Sequence, residues 1–179
     1  MDIKRADGFV QTAKSVPCGL YRTTKPIDDK IPADILVYYH NHGNPGPGVY
    51  PVEKWRNNKA VFAKGGVLIP ADGYEHSLLP LKPEAFYRVV EPFYCCENHC
   101  RLFEKNTLVQ LGYNGRGDAL LFVPEWSYNG IHLPEKGTKV EDAKLAKIEI
   151  LKVVADFNSD QQDEFDEYLT GFPGSDLTH

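Results

Sequence analysis

Five apolar residues in succession, Ile35-Leu36-Val37-Tyr38-Tyr39, run directly into a segment dense in glycine and proline. That junction limits what the chain can fold into more than any other stretch. The run is too short for a stable helix and is β-branched and aromatic, so it reads as a buried strand. From Asn41 to Gly48 the chain then holds three glycines and two prolines. Proline fixes φ and glycine supplies positive φ, so the course of this loop is set by its own covalent chemistry.

The same alternation of short apolar runs and breakers continues along the chain. Cys18 to Thr24 reads as a first strand closed by Lys25-Pro26. A helical turn is expected around Glu53-Lys54-Trp55, followed by two short strands, 60–63 and 66–69. Segments 77–81 and 85–96 are strand-like but interrupted by Pro80, Pro83 and Pro92, which marks edges or bulges. Residues 107–113 and 119–123 form the clearest hairpin, joined by Asn114-Gly115-Arg116-Gly117-Asp118. The pair Thr138-x-x-Glu141 is a capping-box pattern that predicts a short helix over 141–147, with a closing strand at 148–154.

A second cap, Ser159-x-x-Gln162, precedes Phe165, Tyr168, Leu169 and Phe172 at i, i+3, i+4, i+7, a single apolar stripe. The expectation is therefore an α+β, β-rich fold of many short, mostly antiparallel strands, as a sandwich or a small partly open barrel. Residues 1–156 form one domain in this reading, and 157–179 an acidic amphipathic helix or tail. Its stripe either docks on the body or meets a protein partner or a second copy of the chain.

Charge narrows the function classes. Of the 25 acidic residues, seven lie from Asp156 onward with no Lys or Arg among them, so the body is close to neutral. No basic block suited to tracking phosphates exists, which argues against nucleic-acid binding. No apolar run approaches membrane-spanning length, and residues 1–14 lack the apolar stretch of a signal peptide, so a cytoplasmic location with reduced thiols is expected. Walker, dinucleotide-binding and Gly-x-Ser-x-Gly patterns are absent, and Arg116-Gly117-Asp118 reads as turn chemistry.

Two segments carry chemistry. His40-x-His42 ends the apolar run, and period-two alternation in a strand puts both imidazoles on one face, where they can share zinc. With Glu53 downstream and Tyr50 at the serine position, the order resembles the His-x-His…acid pattern of JAMM-type metalloproteases. That resemblance implies a zinc-activated water. The chain departs from the family in having no glutamate among residues 1–39 to act as its upstream base.

The other segment is Cys95-Cys96-Glu97-Asn98-His99-Cys100. On a helical turn Cys96 and Cys100 would share a face with His99 nearby, a soft donor set for zinc. Cys18, His40, His42, His76 and His132 are the distant candidates to complete it. The metal ligands expected are thus His40, His42, Cys96, His99 and Cys100, with zinc as the cofactor. A cysteine nucleophile at Cys100, with His99 or His40 as base, is disfavoured because Glu97 and Glu104 would raise its pKa. The function expected is a non-catalytic binding or interaction module. The rival is a metal-dependent hydrolase or zinc-stabilised domain that joins the histidines to the cysteine turn.

Overall fold

A computed structural model describes residues 16–42, 45–70 and 73–152. The chain-order strands are β1 (Gly19–Arg22), β2 (Leu36–His40), β3 (Gly48–Arg56), β4 (Lys59–Phe62), β5 (Val67–Leu68), β6 (Leu79–Pro80), β7 (Phe86–Val89) and β8 (Phe93–Tyr94). They continue as β9 (Leu102–Phe103), β10 (Leu108–Tyr113), β11 (Ala119–Phe122), β12 (Glu125–Ser127), β13 (Gly130–His132), β14 (Thr138–Lys139) and β15 (Ile148–Ile150).

Every pairing is antiparallel, in two main sheets and two ribbons. The first sheet runs β4-β3-β2-β1-β6, with β5 on β3; the second runs β14-β11-β10-β7-β15. The sheets do not close into a barrel, and helix among the described residues is limited to two 3₁₀ turns, Tyr74–Ser77 and Asp142–Lys147.

The apolar run explains the layering. On β2, Leu36 and Tyr38 join a core shared with Val109, Leu111, Leu121 and Tyr87 of the second sheet. Val37 and Tyr39 point the other way, into a core with Tyr21, Ile27, Ile31 and Val49. A strand buried on both faces has no polar alternation, hence five apolar residues in a row. The sheets approach closely at Gly112, where a Cβ would strike the Asn58 carbonyl. Among the links that join them, Trp55 Nε1 donates to the Tyr113 carbonyl (2.9 Å), Leu36 N–H to Gly115 (3.0 Å) and Arg22 to Gly117 (2.7 Å).

Three local expectations are corrected. Glu53-Lys54-Trp55 is not helical but lies in β3, with a bulge against β4 between Val52 and Lys54. Pairing with β4 and the Trp55 hydrogen bond override the weak helical preference of Glu and Lys. The helix expected over 141–147 is a 3₁₀ turn without a side-chain cap. Thr138 is held in β14, and its hydroxyl accepts from Arg101 instead of capping the turn. The strand expected over 77–81 is shorter: Ser77 ends a 3₁₀ turn, Leu78 caps it, and Leu79–Pro80 pairs with β1. The 113–118 hairpin tip is as expected, with Asn114 Oδ1 accepting the N–H groups of Arg116 and Asp118 and Gly117 at φ 70°. The stripe Phe165, Tyr168, Leu169, Phe172 lies outside the described residues. No helix among the described residues is long and apolar enough to cross a membrane.

Candidate metal centres

The first cluster forms where β1 and β2 pair. Their register sets Gly19 opposite Tyr39, which brings Cys18 across from His40. Cys18, Leu20, Tyr38 and Tyr50 all pack toward the shared core, so this side of the sheet carries the thiol. The sulfur lies 3.6 Å from His40 Nδ1, and His42 completes a set whose ligand atoms lie within 4.8 Å of one another. The two imidazole rings stand 4.0 Å apart at 76°. Cys18 and His40 are half-buried and His42 is exposed, so the set opens to solvent on one side.

Asn41, between the histidines, holds the sulfur. Its backbone N–H donates to Cys18 Sγ (3.2 Å), its Oδ1 accepts from the thiol (3.1 Å), and its Nδ2 donates to the Val16 carbonyl (2.7 Å). Burial, then the neighbouring His42, holds the His40 pKa below its ordinary value. A neutral imidazole is the form that ligates.

The second cluster sits at the tip of the β8–β9 ribbon. Phe93 pairs with Phe103 and Tyr94 with Leu102, and Cys95 N–H donates to the Arg101 carbonyl. The sulfurs of Cys95 and Cys96 lie 3.5 Å apart, those of Cys96 and Cys100 3.6 Å. This segment is a tight turn, closed by His99 N–H on the Cys96 carbonyl, and Cys96 and Cys100 converge in it without a helical turn. His99 does not join them; it takes φ 54° and stacks on Tyr94, centroids 4.1 Å apart. The backbone N–H of Cys100, ahead of the neighbouring thiols, lowers the Cys96 pKa; its thiol neighbours raise that of Cys100.

Among the described residues no converging set draws on both segments, so the structure forms two trios rather than one composite centre. It unites His40 with His42, and Cys96 with Cys100, and adds one cysteine to each pair. Glu53, the acid of the JAMM-like order, is exposed on β3 and belongs to neither trio.

The ligand set expected from sequence left out Cys18, which stood only as a distant candidate to complete the cysteine turn, and left out Cys95. Only the β1–β2 register reveals the first, whereas the adjacency of Cys95 to Cys96 was a visible signal for the second. Sequence reasoning also missed Glu84. This buried carboxylate accepts the Ala60 N–H of β4 at 2.9 Å, and burial pushes its pKa up to about 7 against the pull of Ala60, Lys59 and Tyr113. Glu84 lines a cavity of about 320 Å³ together with Cys18, Leu20, Tyr38, Leu81 and Pro83. A further unforeseen feature is the β12–β13 ribbon, which exposes Trp126 (82%), Tyr128 and Ile131, an apolar surface of the kind protein contacts use.

No family model, curated protein or solved structure matches this chain. The functional reading therefore rests on the geometry of the clusters.

Proposed function

We propose that this protein is a non-catalytic binding module organised by a zinc ion held on Cys18, His40 and His42. One observation carries the reading. A tetrahedral ion with zinc–sulfur near 2.3 Å and zinc–nitrogen near 2.05 Å separates those donors by about 3.6 Å. The Cys18 sulfur and His40 Nδ1 are 3.6 Å apart. The pair is therefore spaced for zinc before any ion arrives. Thiolate and imidazole are the donor types zinc takes, and the depressed His40 pKa favours the neutral ring that ligates. The Asn41 backbone N–H donates to the sulfur, as outer-shell partners of a ligating thiolate do.

Metal analysis of the full chain, purified without chelator, tests the reading. The expected result is zinc that falls by about one equivalent in His40→Ala/His42→Ala. Unchanged zinc in that variant overturns it.

A second reading, a metal-dependent hydrolase, is favoured by a different observation. Three protein ligands leave a fourth position for water, and Cys18 stands in the wall of the 320 Å³ cavity. Zinc would lower the pKa of that water toward 7 and make it a nucleophile. Ester or peptide hydrolysis that tracks zinc content and disappears in His42→Ala would establish this reading. Stoichiometric zinc without turnover leaves the binding module.

A further inference from the structure

We propose that Cys95, Cys96 and Cys100 form a second, independent site for a thiophilic divalent cation of the zinc class, with its fourth position open to solvent. The inference does not depend on the Cys18–His40–His42 site.

Three observations support it. The first is spacing. Tetrahedral zinc with bonds near 2.3 Å sets its sulfurs about 3.8 Å apart, whereas a trigonal planar ion with the same bonds needs about 4.0 Å. The two Sγ–Sγ distances, 3.5 and 3.6 Å, lie nearer the tetrahedral value. Side-chain torsion of a few degrees closes the gap.

The second is the framework. Backbone hydrogen bonds shape the turn: Cys95 N–H donates to the Arg101 carbonyl (2.9 Å) and His99 N–H to the Cys96 carbonyl (3.1 Å). The turn is tethered at both ends of its first half: the Cys95 carbonyl accepts the Glu141 N–H, and the Glu97 N–H donates to Glu141 Oε1. Cys95 is buried at 2% exposure while Cys100 is exposed. A cation would thus be fixed from inside and reached from outside.

The third is charge and donor type. His99 is withheld by its stacking on Tyr94, so the donors are all sulfur, which selects a soft ion. Glu97 and Glu141 flank the turn. Three thiolates beside two carboxylates favour a divalent cation over a monovalent one by simple Coulomb attraction. Binding displaces the thiol protons to solvent, with no oxidation or reduction.

The test is an anaerobic cadmium titration of the reduced full chain, reading thiolate-to-cadmium charge-transfer absorption. Its intensity counts bound thiolates. Wild type is expected to take up two equivalents. His40→Ala/His42→Ala should keep one, with about three quarters of the absorption, because three of the four cysteines remain engaged. Cys100→Ser, at an exposed position that folding does not require, should weaken that remaining equivalent at least tenfold. One equivalent whose absorption falls in both variants would mean a single composite centre and overturn the proposal, as would a Cys100→Ser protein that binds like wild type. If the Cys18 centre fails instead, wild type binds one equivalent that only Cys100→Ser removes, so the two failures are distinguishable.

Discussion

The two trios draw on similar donors but are attached to the fold in opposite ways. Cys18 and His40 stand 22 positions apart and meet only because β1 pairs with β2. Cys95, Cys96 and Cys100 lie within one turn and meet through local backbone geometry. Closing the longer segment costs about 1 kcal/mol more in chain entropy. More important, an unfolded chain can still present the three cysteines to an ion but cannot assemble Cys18 with the histidines. Binding to the unfolded state cancels the stabilisation that binding to the native state gives. Metal held at the first trio would therefore be coupled to folding, and metal held at the second nearly uncoupled.

Zinc removal is the strongest way to break that contrast. At a thousandfold excess over its dissociation constant an ion stabilises the native state by about 4 kcal/mol. A chain of this size shifts Tm by roughly 2–4 °C per kcal/mol. Chelation should thus lower Tm by roughly 10 °C. In His42→Ala most of this response should vanish, because the exposed histidine serves the ion and not the core. In Cys100→Ser it should persist. Calorimetric scans with and without chelator decide it, and equal responses in the two variants would remove the contrast.

The contrast also explains what could be read in advance. The 107–113/119–123 hairpin was legible because its signal is local: two apolar runs and an Asn/Gly turn whose Asn114 closes the loop. Strand β2 was legible because burial on both faces leaves an unbroken apolar run. Convergence of Cys96 with Cys100 was legible for the same local reason, even though the turn is not helical. Cys18 was not, since its partner depends on a register between strands thirteen residues apart, from Arg22 to Leu36. Trp55 and Thr138 were misread because non-local hydrogen bonds, to Tyr113 and from Arg101, outweigh local preference. Nothing in the local sequence marks Glu84 as buried, because its partners come from β4 and β10.

Glu84 offers the next largest effect, and it touches only the first trio's surroundings, through the cavity it shares with Cys18. Its folded pKa is about 7 against 4.5 for the free side chain. The folded state therefore holds the proton more tightly than the unfolded one. The resulting stability is fully present below pH 4.5 and is lost as pH rises through 7, to a ceiling of about 3 kcal/mol. His40 has the opposite sign: with its pKa depressed, it contributes stability above the ordinary histidine value that is lost as pH falls. The difference between wild type and Glu84→Gln isolates the carboxylate. Urea midpoints of metal-free protein at pH 5 and pH 8 should fall for wild type and change less for the variant. Parallel pH profiles would show that Glu84 does not titrate in this range.

The smallest effect concerns how each trio is oriented. At the turn, backbone hydrogen bonds hold the cysteines, from Cys95 N–H to Arg101 and from His99 N–H to Cys96, and no side-chain substitution removes them. At the strand ends the Asn41 backbone N–H faces the Cys18 sulfur, and its placement depends on a side chain, since Asn41 Nδ2 ties the loop to the Val16 carbonyl. Loss of such an outer-shell partner costs about 10–100-fold in metal affinity. Asn41→Ala is thus expected to weaken zinc at Cys18–His40–His42 by roughly that factor in a chelator competition. The backbone N–H of Asn41 still reaches the sulfur, so binding is weakened rather than abolished. Cadmium absorption from the three-thiolate turn should not change in the same protein. A variant that binds zinc as tightly as wild type would show that the strand register alone positions Cys18, and that Asn41 serves only the loop.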